Sequence, residues 1–175
     1  MKNNQGFTLI ELIVVLIIIG ILGGSAMLSI RSLDAGNAQS SVKRISAMLD
    51  FVRVQNMSKT QAYYLLIEKE DDSFVAKVQY DNSGTRKDVL TEKLKLKNGT
   101  ITYYSKDASP EVSYTVGDYN VALATNVVLE ISYNKGSGDF HVGSDGRDIK
   151  RIVITGGDRS YTIYLVKATG KHYIE

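Results

Sequence analysis

Residues 1–30 read MKNNQGFTLIELIVVLIIIGILGGSAMLSI, and the reading of this stretch decides what kind of fold follows it. From Phe7 to Ile30 there are 24 residues with a single charge, Glu11. As a helix rising about 1.5 Å per residue this run spans about 36 Å, more than a hydrocarbon core of about 30 Å. A secretory signal removed by the ordinary signal peptidase has an apolar stretch of only about 7–15 residues. The run here exceeds that, although Gly24-Ser25-Ala26 has the small residues of such a cleavage site. A plain membrane anchor accounts for the length but not for Glu11. A carboxylate in a membrane segment costs about 2.5–3.5 kcal/mol on insertion scales, so it usually has a partner or a function.

The succession Gly6-Phe7-Thr8-Leu9-Ile10-Glu11, followed by LIVVLIIIGIL over residues 12–22, resembles the class III signal of type IV pilins and type II secretion pseudopilins. The resemblance implies cleavage between Gly6 and Phe7 by a prepilin peptidase on the cytoplasmic side. The same enzyme would then methylate the new amino terminus of Phe7. Glu11 falls fifth in the processed chain, where that family carries its assembly carboxylate. Other pilin or pseudopilin subunits, membrane lipid and an inner-membrane assembly platform are the further partners the resemblance implies. It also implies a single pass of the cytoplasmic membrane, with the head outside, before entry into a filament.

The spacing makes electrostatic sense by itself. Cleavage would leave an ammonium group on Phe7 and an anion on Glu11, one helical turn later. In a lipid-sheathed bundle, Glu11 of one subunit can pair with the Phe7 amine of its neighbour, offsetting the cost of holding either charge in an apolar setting. Such a pair would also fix the axial offset, because other registers leave a charge unpaired. Many members of the family have a proline near the outer end of the membrane segment, and the only proline here is Pro110. Gly20, Gly23 and Gly24 either soften the helix in its place, at about 1 kcal/mol each relative to alanine, or allow close helix packing in lipid. Lys2 and the original amino terminus favour a cytoplasmic leader, while Arg31 flanks the other end.

Beyond Arg31 the helical period continues but becomes amphipathic. Ala38, Val42, Ile45, Leu49 and Val52 share one face, with Lys43, Arg44, Asp50 and Arg53 mostly off it. A helix from Phe7 to Ser58 would be about 78 Å long, and Asp34-Ala35-Gly36-Asn37 is its weakest point, where it could break or bend. Past Lys59 the pattern turns to strands. Ala62–Glu68 and Phe74–Tyr80 read as a hairpin joined by residues 69–73, and residues 81–84 as a turn. Val89–Leu96 alternates, and Asn98-Gly99, a turn signal through tolerance of positive φ, leads into Ile101–Tyr104. Residues 105–126 read as a long loop or short edge strands. Val127–Tyr133, Ile149–Thr155 and Tyr161–Val166 are the clearest strands.

The predicted fold is therefore α+β: a long amino-terminal transmembrane and amphipathic helix packed on an antiparallel β-sheet head, lollipop-shaped, with two small sheets. The expected division is a leader over 1–6, a membrane and filament-core helix over 7–30, its amphipathic continuation over 31–60, and a β-rich head over 61–175. With 175 residues the chain has room for one such domain and its extra segment, not for two large ones. The carboxy-terminal order of strand, Gly-rich turn, strand, turn, strand ending in Ala168-Thr169-Gly170-Lys171 is similar, more diffusely, to the H-type (FimT-like) minor pseudopilins. So is Phe51-Val52-Arg53-Val54-Gln55, with Val52 in place of that family's small residue. The function this implies is structural: a minor subunit of a pilus or secretion filament, the alternatives being the major shaft subunit or a DNA-binding or adhesin subunit at the tip.

Other chemistries have little to work with. The charge is nearly balanced, 21 Lys+Arg against 19 Asp+Glu, so no global field recruits nucleic acid. The absence of cysteine removes disulfides, thiolate metal sites and a Cys nucleophile together. His141 and His172 are the only histidines and have no metal-ligand spacing. Asp139, Asp145 and Asp148 around Gly143 and Gly146 lack the alternation and terminal Glu of a calcium loop. No Gly-x-Ser-x-Gly, His-Glu-x-x-His or P-loop pattern occurs, so neither catalysis nor a cofactor is expected. Lys150, Arg151, Arg159, Lys167 and Lys171 could form a basic cluster for DNA phosphates on the last hairpin, but a solvated strand face is the plainer reading, and no aromatic-plus-basic platform for single strands is evident.

Overall fold

Thr8 starts the helix by capping it. Its backbone is extended and its Oγ1 accepts the Glu11 N–H at 3.3 Å, which satisfies one of the orphan donors of the first turn. The structure is a computed structural model that describes the backbone of residues 8–105, 112–120, 125–142 and 148–175; within these, the side chains of residues 25–32, 120, 141 and 142 are not described. The helix, α1, runs Leu9–Ser58 without interruption, 50 residues or about 75 Å. The expected weak point at Asp34–Asn37 is helical throughout. Ala35 and Ala38 bury there against the sheets, and a Cβ on Gly156 would come within 2.5 Å of the Asp34 carbonyl oxygen. Packing on the sheet thus offsets the poor helix propensity of Gly36.

Among the described residues twelve strands follow: β1 Tyr63–Glu70, β2 Ser73–Asn82, β3 Thr85–Leu94, β4 Thr100–Ser105, β5 Val112–Thr115, β6 Tyr119–Asn120, β7 Thr125–Asn126, β8 Leu129–Tyr133, β9 Phe140–Val142, β10 Ile149–Gly156, β11 Arg159–Val166 and β12 Lys171–Ile174. They form two five-stranded sheets, β3-β2-β1-β8-β9 and β12-β11-β10-β4-β5, and a small pair, β6-β7. Every pairing is antiparallel. The predicted α+β class with antiparallel sheets is what forms.

The predicted stripe Ala38, Val42, Ile45, Leu49 and Val52 is buried, at no more than 1 % exposure, and seats the helix on both sheets. Opposite it lie Leu65 and Ile67 of β1, Leu129 and Ile131 of β8, Ile152 and Ile154 of β10, and Ile163 of β11. Period-2 alternation delivers each of these to the inner face. Asn56, also buried, closes the upper end of α1 by bonding the backbone of Tyr63, the first residue of β1.

Several boundaries differ from those predicted. The first hairpin turns in two residues, Asp71-Asp72, rather than five, with Asp71 at a φ of 50°. The β3 strand begins at Thr85, four residues early, because Ser83-Gly84 forms a tight turn with both residues at positive φ and the Asp81 carboxylate accepting the Gly84 N–H at 2.8 Å. At Asn98-Gly99 the turn is present, yet neither residue has positive φ. Glycine is needed there for close approach: a Cβ would sit 2.2 Å from the Thr155 carbonyl oxygen. Finally, β12 extends the sheet beyond the Thr169-Gly170 turn that had marked its end.

Candidate assembly site on the amino-terminal helix

The residues that set the first half of α1 apart are exposed and apolar. Every described side chain from Thr8 to Gly24 is exposed, and the large apolar ones from Leu9 to Leu22 range from 45 % to 79 %. They point to all sides of the helix rather than to one. A helix apolar all round is a helix made to be surrounded. A Cβ at Gly20, Gly23 or Gly24 would meet nothing within 4 Å, so no packing among the described residues explains these glycines. Among the described residues no helix is long and apolar enough to cross a membrane, and the described side chains of this run stop at Gly24.

Glu11 stands three residues after the cap, with its side chain exposed. Thr8-Leu9-Ile10-Glu11 has the spacing of a capping box, in which a Thr oxygen bonds the backbone of the fourth residue. The Thr8-to-Glu11 bond is the half of that box seen here. This was legible in the sequence as Thr-x-x-Glu ahead of an apolar run, and Thr8 is the site residue that the motif reading passed over. An acid in the first turn also suits the positive end of the helix dipole. Glu11 is thus placed where local helix physics favours it, and its carboxylate remains turned outward. Gly6 and Phe7, the expected cleavage and methylation positions, lie outside the described residues.

Four of the five candidate phosphate contacts fall at one end of the second sheet, where β10 begins and β11 ends, and Arg159 falls at the other. Lys150 and Arg151 lie near the start of β10, and Arg159 opens β11 beside Gly156 at the far end of the hairpin. Lys167 follows β11 and pairs with Asp148; Lys171 opens β12. Arg151 lies over the Tyr104 ring, 4.1 Å from its centre. Cross-strand register puts Tyr104, Arg151, Tyr164 and Tyr173 in a single row over β4, β10, β11 and β12. This aromatic-plus-basic row escaped the sequence reading because its members are distant in the chain. Tyr164 and Tyr173 stack on each other at 5.0 Å between ring centres, and Arg151 occupies the face of Tyr104. The row uses its own ring faces as cross-strand stabilisation.

Among the described residues no three of His, Asp and Glu are grouped to hold a metal ion; Gly143, Asp145 and Gly146 lie outside them. His172 sits inside, against α1. A groove lined by Asn37, Asp71, Asp72, Ser73 and residues 93–97 contains lysines and carboxylates but no histidine.

Residues 1–27 match the family model of the prokaryotic N-terminal methylation motif. This is the class III signal, consistent with a type IV pilin or pseudopilin, and it implies processing by a prepilin peptidase and interaction with other pilin subunits. The proteins that carry it are structural. The match ends 31 residues before the end of α1 (58 − 27) and so does not bear on the H-type subclass. No curated protein and no solved structure matches the chain.

Proposed function

We propose that this chain is a membrane-inserted structural subunit of a type IV pilus-like or type II secretion filament, in a minor position. The observation that carries the reading is the continuity of α1. A methylation signal leads directly into a capped helix whose first turns expose apolar side chains on every side, and whose later turns bury a single stripe against a β-rich head. In this reading residues 7–30 cross the cytoplasmic membrane, the head of residues 61–175 lies outside, and the overall form is a lollipop. Prepilin peptidase cuts between Gly6 and Phe7 and methylates Phe7.

The apolar half of α1 then exchanges lipid for the helices of other subunits. Glu11 pairs with the Phe7 amine of an adjoining protomer, which restricts the axial offsets available. The exposed setting of Glu11 beyond the Thr8 cap supports this role, since no group among the described residues takes its carboxylate. Of the basic residues of the last hairpin, Arg159 stands at the opposite end from the others, and Lys150, Arg151 and Lys167 all engage neighbouring groups. A tip subunit that binds DNA through them is therefore not the reading adopted.

Intact mass spectrometry of the mature polypeptide tests the proposal. The expected first residue is Phe7, carrying one methyl group. A mature chain beginning at Met1 or Met27 overturns it. Minor rank is tested by abundance: the protein is expected to be scarce in purified filaments, and a filament composed mainly of it makes it the shaft subunit.

A further inference from the structure

The last strand of the sheet is held to the helix by a buried histidine. His172 of β12 turns inward, with only 6 % of its side chain exposed, and its Nε2 lies 2.8 Å from Ser46 Oγ of α1. Its Nδ1 is 4.0 Å from the Asp50 carboxylate, which is itself mostly in water. One turn further along α1, the Arg53 guanidinium donates to the Thr169 carbonyl at 2.9 Å. The Tyr133 hydroxyl of β8 is buried nearby without a hydrogen-bond partner, and burial pushes its titration upward. The cross-strand neighbour on β11 is Leu165, which is apolar. Among the described residues, the charged and titratable groups facing the imidazole are Asp50, Arg53 and Tyr133.

We propose that His172 is an acid-sensitive latch: neutral, it docks β12 on α1, and protonated, it loosens the strand and bares the edge of β11. A charge formed at this position loses water on nearly all sides. The Arg53 guanidinium opposes it, and the Asp50 carboxylate, 4.0 Å away, is screened by solvent. Burial first, and Arg53 with it, hold the imidazole below its ordinary value of 6.5, against Asp50 and the hydrogen bond to Ser46. The folded form therefore binds the proton less readily than the unlatched form. The stability that β12 gains from docking is complete above about pH 6.5 and is lost as pH falls through the folded value. Because β12 is a four-residue strand at the edge of its sheet, it can detach while the rest of the sheet remains paired.

Hydrogen exchange of the full chain in detergent micelles, corrected for intrinsic rates, reads the latch directly. Between pH 7.5 and 5, protection of residues 171–175 is expected to fall about tenfold for each unit by which the folded value lies below the free one, while protection of β10 and β4 holds. His172→Asn, which cannot titrate, is expected to lose that pH dependence whatever its starting protection. Asp50→Asn, on the exposed side of the helix, keeps the histidine and is expected to enlarge the acid loss. An unchanged acid response in His172→Asn, or parallel losses in β12 and β10, overturns the proposal.

Discussion

The side-chain amide of Asn56 grips the backbone of Tyr63 from both directions. Its Oδ1 accepts the Tyr63 N–H at 2.9 Å and its Nδ2 donates to the Tyr63 carbonyl at 2.8 Å, with a further bond to the Val52 carbonyl at 3.1 Å. An asparagine at the end of α1 thereby does for β1 what a neighbouring strand would do. Asn56→Leu, close in volume, is expected to leave the part-buried Tyr63 N–H without its partner and cost about 1 kcal/mol or more. Denaturant unfolding should show a lower midpoint with an unchanged slope.

Gly170 has a φ of 60°, and a Cβ there would fall 1.7 Å from the Gly138 carbonyl oxygen. The clash is with backbone, which cannot swing aside as a side-chain tip can. Gly170→Ala is expected to cost upwards of about 3 kcal/mol by combining a left-handed penalty with overpacking. The loss should appear as weaker pairing of β12 and displacement of the 134–139 turn, both visible as amide shifts in NMR spectra.

Glu11→Val is expected to leave membrane insertion intact while impairing entry into the filament. Membrane fractionation and the filament content of the variant measure these separately. Wild-type incorporation of the variant would defeat the pairing with the Phe7 amine, and leave the rest of the reading in place.

On the outer face of the first sheet, Lys77 bridges Glu68 and Glu70. The Lys77 ammonium, mainly through its hydrogen bond, holds the exposed Glu70 carboxyl below the ordinary carboxylate range. The stability contributed by this ion pair is present above the unfolded carboxylate value, near 4.3, and is lost as pH falls through the folded one. Lys77→Met is expected to move the Glu70 midpoint back upward in a carboxyl-carbon NMR titration. Being at the surface and screened by solvent, the change should leave overall stability nearly unaltered.

The parts of this molecule that could be read from sequence are those set by local periodicity. The buried stripe of α1 and the long strands followed from spacings of 3.6 and 2, and the methylation signal from a fixed succession of residue types. What stayed hidden depends on residues brought together from afar. The Tyr104–Arg151–Tyr164–Tyr173 row requires three registers to be known at once. The passage of α1 through Asp34–Asn37 depends on a glycine 120 positions away from Gly36 (156 − 36). The Asn98-Gly99 turn was correctly located, but the demand on Gly99 comes from Thr155, which the dipeptide cannot announce.

The β3 strand, ten residues long, forms one edge of its sheet, and nearly all of its side chains are exposed. Its register slips opposite Val78/Gln79, leaving Val89 without a counterpart. Arg86 is drawn across Tyr64 to Glu130, and Lys87, Asp88 and Lys93 are interspersed along it. A kinked, charged margin makes a poor template for another chain. Heads crowded side by side would consequently slide past one another at this border instead of zipping into fibrils.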